Sequence, residues 1–237
     1  YPNFFGSIPN LDEFVNISKS SDCLSIVHTN PISLGFLKSP GEYGVDIVTA
    51  EGQPLGVPIS YGGPYIGLFS CNQTHIRQMP GRIIGQTTDI DGKIAYTLTL
   101  QTREQHIRRE RATSNICTST QLIGLMVTIY LATLGPDGIK DVGNLCYQKS
   151  HYLANSLRNI KGVIIENKNE FFNEFVFSTP LRPSFLNEKL LQKKIIGGLD
   201  ISNIINNGIL ICCTEMNTKQ QIDSLVSSIQ EILNDNE

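Results

Sequence analysis

The six cysteines of this chain form no C-x-x-C pair. They stand at Cys23, Cys71, Cys117, Cys146, Cys212 and Cys213, with the last two adjacent inside an apolar run. Buried free thiols in a reducing compartment fit that pattern better than a disulfide framework. The four histidines (His28, His75, His106, His151) show no H-E-x-x-H or comparable spacing, which argues against a metal site. Cationic charge is also short: 19 Lys and Arg face 22 Asp and Glu, a formal -3. No basic excess exists to neutralise phosphates, so nucleic acid is not an expected partner. A Walker A loop, a G-x-G-x-x-G turn and a G-x-S-x-G elbow are all missing. The first residue is Tyr1, and no charged n-region leads into an apolar h-region. No signal peptide is visible in this stretch, and we read the start as a fragment boundary with features upstream of it missing.

What is present is an ordinary globular composition: 237 residues, 40% hydrophobic, enough for one large domain or two small ones. One stretch, from Ile116 to Gly135, carries no charge. Its polar start at Thr118, Ser119, Thr120 and Gln121 leaves an apolar core only from Leu122 to Leu134. A run of roughly 10–14 apolar residues fits a buried helix better than a membrane span.

The apolar spacing of Leu11, Phe14, Val15 and Ile17 predicts a helix over Leu11 to Ser20. Strands are expected at Cys23 to His28 and Tyr43 to Val48, joined by a crossover without hairpin turn, hence parallel. Residues 52–67, GQPLGVPISYGGPYIG, are loop chemistry. Further strands are expected at Tyr65 to Ser70 and, after an Asp91-Gly92 turn, at Ala95 to Leu100. A helix capped by Thr118 or Ser119 should stop at Gly135-Pro136, and a second should run from about Asp137 to Asn159. The tail reads as strands at Val163 to Glu166, Glu174 to Ser178 and Ile209 to Thr214. Helices are expected from Phe185 to Ile196 and after Thr218. A domain boundary near Pro136 divides the chain into residues 1–136 and a small α+β unit, 137–237.

The richest local signal is residues 101–118, QTREQHIRRERATSNICT. In a continuous helix Glu104 would meet Arg108, and His106 would meet Glu110, at i,i+4. One reading is a solvated, ion-paired helix face. The other takes Thr113, Ser114 and Asn115 as hydrogen-bonding side chains before a helix start, suited to a phosphate or carboxylate. The residues alone leave both open.

Three long segments are more specific. These are Gly52-Gln53-Pro54-Leu55-Gly56 through Gly62-Gly63-Pro64-Tyr65, then Met79-Pro80-Gly81-Arg82-Ile83-Ile84-Gly85, then residues 100–118. Together with Pro2-Asn3-Phe4-Phe5-Gly6, Asn30-Pro31-Ile32-Ser33-Leu34-Gly35 and Cys213-Thr214-Glu215, they closely resemble the P-protein of the glycine cleavage system. The resemblance covers nearly the whole chain. In the segments 51–56 and 30–35 it is to the subunit 1 type of the two-subunit bacterial form.

That resemblance implies an α/β, type I pyridoxal-phosphate-dependent transferase fold. Its large domain has a mostly parallel sheet, truncated at the front here, and a small carboxy-terminal domain follows. It implies pyridoxal 5'-phosphate-dependent decarboxylation of glycine, with the aminomethyl group passed to the lipoyl arm of H-protein. A bacterial, cytoplasmic heterotetramer with subunit 2 would be the setting. The sequence departs from the pattern of a self-sufficient enzyme at two places. Where the fold places an aspartate beside the pyridinium nitrogen, this chain has Asn30, a neutral amide. Where a Schiff-base lysine is expected, it has Gln53-Pro54, and no lysine occurs between Lys38 and Lys93.

The resemblance therefore implies a chain without its own Schiff base, completing a site whose cofactor lysine lies on subunit 2. Thr113, Ser114 and Asn115 become candidates for the partner cofactor's phosphate, with Arg103 and His106 near the substrate. Arg108, Arg109 and Arg111 read as interface ion pairs. A non-catalytic interaction protein derived from the same fold is the alternative.

Overall fold

The computed structural model describes residues 1–100, 104–112, 114 and 120–236. Its first layer is a short sheet in the order β1-β2-β3. Helix α1 (Leu11–Ser20) precedes it, capped by the Asn10 side chain, which accepts from the Glu13 N–H. Its buried residues Leu11 and Val15 pack on Val27 and Val45, which fixes the helix on one sheet face. Strand β1 (Ile26–Thr29) and strand β2 (Ile47–Glu51) run parallel, with Ile26 opposite Ile47 and Thr29 opposite Ala50. Strand β3 (Gly67–Cys71) returns antiparallel to β2.

Both parallel strands lie a few residues later than the sequence pattern predicts. Residues 40–43 form a 3-10 turn instead, in which Ser39 and Glu42 satisfy each other's donors and Gly44 takes φ +83°. At the base of the strands the Asp46 carboxylate accepts from the Ser25 N–H and hydroxyl at 2.9 and 2.8 Å. Those bonds, led by the backbone donor, hold its pKa below the usual carboxylate value.

Strands β4 (Ile83–Thr88) and β5 (Ile94–Thr99) form a separate antiparallel hairpin that, among the described residues, joins no other strand. The Asp91-Gly92 turn is where the sequence places it; β4 itself was not read from the sequence. A single helical turn, α2 (Gln105–Arg108), follows. It ends because Arg109 takes φ +51°, so the i,i+4 ladder expected across this segment does not form a continuous helix.

Helix α3 (Gln121–Arg158) is broken at Gly135, whose φ of 64° and ψ of -177° leave helical space just before Pro136. The stop signal read from the sequence is thus a kink between two helical stretches. By length and composition α3 could cross a membrane, but its first continuous stretch, residues 121–134, falls short of the ~20 residues that requires. One face of that stretch is in the core, through Ile123 and Val127. Leu122, Leu125 and Ile129 are exposed, so the apolar run is half buried rather than wholly buried.

The carboxy-terminal layer is an antiparallel sheet in the order β6-β7-β9-β8. Its strands are β6 (Ile164–Ile165), β7 (Glu174–Ser178), β8 (Leu199–Asp200) and β9 (Gly208–Cys212). Helices α4 (Pro183–Gln192) and α5 (Lys219–Asn234) cover it. Thr218 caps α5 with the Gln221 side chain reciprocating. Phe175, Phe177, Leu186, Ile209 and Ile229 are fully buried in this core. The amino-terminal residues reach it too: the Phe172 N–H donates to Gly6 O, and Asn167 Nδ2 donates to Phe5 O.

Candidate functional site

Parallel pairing brings the carboxyl ends of β1 and β2 side by side, so Asn30 and the Glu51–Gln53 segment converge at one sheet edge. Such edges are where open α/β sheets present ligand-binding loops. His28 and Thr49 are direct register partners there, with Nδ1 3.1 Å from Oγ1. The sequence reading passed over this pair. Strand alternation could have found it, since Val27 and Thr29 are buried while Ile26 and His28 face the other way.

The two singled-out positions are both spent on local structure. Asn30 Oδ1 accepts the Ile32 N–H at 3.1 Å and so caps the 3-10 turn Pro31–Gly35. Its own N–H donates to Tyr1 O at 3.0 Å. Gln53 Nε2 donates to Val57 O at 2.9 Å, and the Gln53 N–H donates to Glu51 Oε1 at 3.0 Å. Pro54 is exposed. Between them Gly52 is buried, and a Cβ there would lie 2.5 Å from Ile66 Cγ2. Lys38, the nearest lysine before this segment, holds its Nζ over the Tyr43 ring at 4.0 Å.

These residues do not fit covalent attachment of pyridoxal phosphate at this loop. The amide at Asn30 lacks the charge that steadies a pyridinium cation. The loop at 52–57 offers no amine, and at Gly52 it has no room for one. Tyr65, in the same loop region, donates its hydroxyl to Ile59 O at 2.6 Å, and Tyr61 is fully exposed.

Beneath the loop, Leu55 and Val57 pack with Ile123, Val127, Phe172 and Cys146. Gly56 lies so close to Tyr130 that an added Cβ would be 2.6 Å from its ring. The 213–215 segment, singled out in the sequence, meets this layer from the other side. Cys146 donates to Glu215 Oε2 at 3.3 Å, and Lys149 Nζ donates to Glu215 O. Burial pushes the Cys146 thiol up to about 12, away from the lowered values that favour a reactive thiolate.

Of the arginine-rich segment, His106 is exposed and Ser114 half-buried, while Glu104 is buried. Arg103, Thr113 and Asn115 lie outside the described residues. Among the described residues no group of three or more His, Cys, Asp or Glu side chains could hold a metal ion.

Two parallel strands feeding a loop-lined edge, an antiparallel return strand and a smaller sheet-and-helix unit define a type I pyridoxal-phosphate-dependent fold. An alanine–glyoxylate aminotransferase from Nostoc sp. shares it with a TM-score of 0.61 at 18% identity, covering 96% of this chain and 58% of that one. A crystal structure titled "glycine decarboxylase (P-protein) of the glycine cleavage system, in inhibitor-bound form" matches with a TM-score of 0.89 at 36% identity. That match covers 98% of this chain and 53% of the other. The family model "Glycine cleavage system P-protein" matches residues 1–229, and the chain belongs to that family. "Probable glycine dehydrogenase (decarboxylating) subunit 1" of Desulfitobacterium hafniense is 47% identical over 234 residues, 98% of this chain and 52% of that protein. The protein of the same name from Chlorobaculum parvum is 45% identical over 98% and 52%. The chain thus spans about half the length of the curated relatives it matches.

Proposed function

We propose that this chain works as part of a glycine-decarboxylating complex without carrying the cofactor itself. In this reading subunit 2 holds pyridoxal 5'-phosphate through its own lysine, and this chain completes that subunit's site. The complex decarboxylates glycine and hands the aminomethyl group to the lipoyl arm of H-protein. The observation that carries the reading is Gln53: it stands where an amine is needed and is tied to Val57 O at 2.9 Å. The cap at Asn30 supports it independently.

Within this reading Thr113, Ser114 and Asn115 approach the partner-held phosphate. Small hydroxyl and amide groups before α3 are suited to accept that role. Arg103 and His106 lie toward the substrate. Residues 1–136 form the carboxy-terminal part of the large domain, and residues 137–237 the small one.

Release of labelled carbon dioxide from carboxyl-labelled glycine, in the presence of lipoylated H-protein, tests the proposal. The chain alone and subunit 2 alone should each be inactive, and the mixture active. An aldimine absorption band in the isolated chain after incubation with pyridoxal phosphate would overturn it. Equal activity of subunit 2 with and without the chain would favour a purely structural partner.

A further inference from the structure

Three ordinary preferences of a folded chain are reversed together between residues 100 and 109. The first concerns burial. Among the described residues Glu104 is the only Asp, Glu, Lys or Arg that is buried, at 4% exposed. Such side chains are almost never fully buried unless they are paired. The burial is complete within this chain and needs no second molecule to produce it.

The second is the arrangement around that residue. Ile107 is 51% exposed, and every residue from 105 to 111 is exposed. The segment therefore turns a carboxyl group inward and its isoleucine outward, opposite to what apolar burial alone would select. The third is in the backbone. Leu100 has φ +55° and Arg109 has φ +51°, so the stretch is entered and left through left-handed residues that carry a Cβ. Backbone of this kind persists only where the surroundings over-determine it, and it gathers at functional sites.

Glu104 also stands at the head of α2. Its carbonyl accepts the Ile107 and Arg108 N–H groups at 3.0 and 2.9 Å. The residue whose side chain is held in the interior is thus the one from which the turn starts. A polar group stays buried only where it is hydrogen-bonded or paired, so its place is specific in a way that an apolar contact is not. The direction of α2, and of the exposed His106 on it, follows from where that carboxyl is held.

We infer that Glu104 is a positioning residue for the glycine reaction. Its buried carboxyl anchors the α2 turn and so fixes His106 and the arginine-rich stretch around it. It acts through the segment and not on glycine itself. The inference rests on the proposed heteromeric reading and names the group in this chain that sets the segment in place.

Kinetics of the complex with subunit 2 and lipoylated H-protein test it, together with hydrogen–deuterium exchange. Glu104→Ala should lower kcat at least about tenfold and change the KM for glycine less than about threefold, because the substrate binds but the groups beside it are misplaced. Exchange should rise across residues 104–112, while α3 and the unfolding temperature keep wild-type values. Glu104→Gln, which keeps the length and one acceptor oxygen, should retain at least about a third of wild-type kcat. Glu110→Gln, the same change on an exposed side chain of the same segment, should stay within about twofold. Wild-type kcat in Glu104→Ala overturns the inference while leaving the heteromeric reading intact. A lower unfolding temperature and less complex, with full turnover in the complex that forms, overturns it too, because the role is then structural only. If the wild-type complex is inactive the heteromeric reading falls. Exchange then decides about the anchor by itself, and equal exchange in wild type and Glu104→Ala overturns the inference as well.

Discussion

Gln53 donates its side-chain amide to the Val57 carbonyl at 2.9 Å, closing the loop that the proposed reading takes as the place of an absent cofactor lysine. The bond is short, local and well placed to hold Leu55 and Val57 in the core beneath. A side chain fixed this way is structural, and that has consequences.

Gln53→Ala should lower stability by about 1 kcal/mol, the usual net value of one hydrogen bond. Gln53→Lys should lose the same bond and still yield no stoichiometric pyridoxyl adduct after borohydride reduction, because the loop beside it is closed against Ile66 at Gly52 and leaves no room for the ring. Chemical denaturation and peptide mass spectrometry check the pair. A stoichiometric adduct at position 53 would show that the pocket is still competent.

Close packing of glycines makes a second prediction. A Cβ on Gly35 would lie 2.2 Å from Ile139 O, whereas one on Gly143 would meet Gly35 and Phe36 backbone atoms at 3.1 Å. Gly35→Ala should therefore cost about 1–3 kcal/mol through overpacking. In Gly143→Ala the helix gains about 1 kcal/mol of propensity, which offsets most of the strain. Thermal unfolding should rank wild type and Gly143→Ala together, well above Gly35→Ala.

Glu174, opposite Cys212 in the small sheet, has its carboxyl pKa raised by burial. The folded state thus holds its proton to higher pH than the unfolded state does. Stability from this group is present below the ordinary value of 4.5 and lost as pH rises through the folded value. Glu174→Gln should consequently be more stable than wild type at pH 7, and the difference should vanish on acidification below 4.5. Unfolding curves across pH 3.5–8 measure this, and a gain that persisted at low pH would point to packing instead.

The cysteines should separate by burial. Cys146 and Cys213 are buried, with thiols pushed up to about 12 and about 11, foremost by desolvation. Cys23 is exposed. At pH 8 iodoacetamide should label Cys23 first and reach Cys146 and Cys213 only slowly. For Cys146 the same raised value means stability held below pH 9 and lost as the pH climbs through about 12. Peptide mapping against time checks the order.

Several elements were legible without coordinates because their signals are local. The Asn10-capped helix spans the predicted residues Leu11–Ser20, and Thr218 caps α5 where expected. Asp91-Gly92 marks the hairpin turn, and Gly135-Pro136 the break in α3. The missed elements have physical explanations. Gly85 and the polar Gln86, Thr87 and Thr88 hide β4 from any apolar pattern. β8 is only two residues long and owes its form to pairing with β9. The continuous helix that a ladder over Glu104 to Glu110 would need is interrupted because Arg109 turns into positive φ, which no composition rule announces.

The sequence by itself determined the family, the want of a lysine between Lys38 and Lys93, and the neutral amide at Asn30, since all three are matters of residue identity. Only the tertiary structure decided what the side chains at those positions do. It showed that parallel pairing brings Asn30 and Gln53 to one edge, and that both side chains are bound into turns. It also showed that the hairpin collects Ile84, Leu98, Tyr96 and Ile94 on a single exposed face. Which side chains of two strands share a face depends on the register between them, and register is set by pairing rather than by any residue alone.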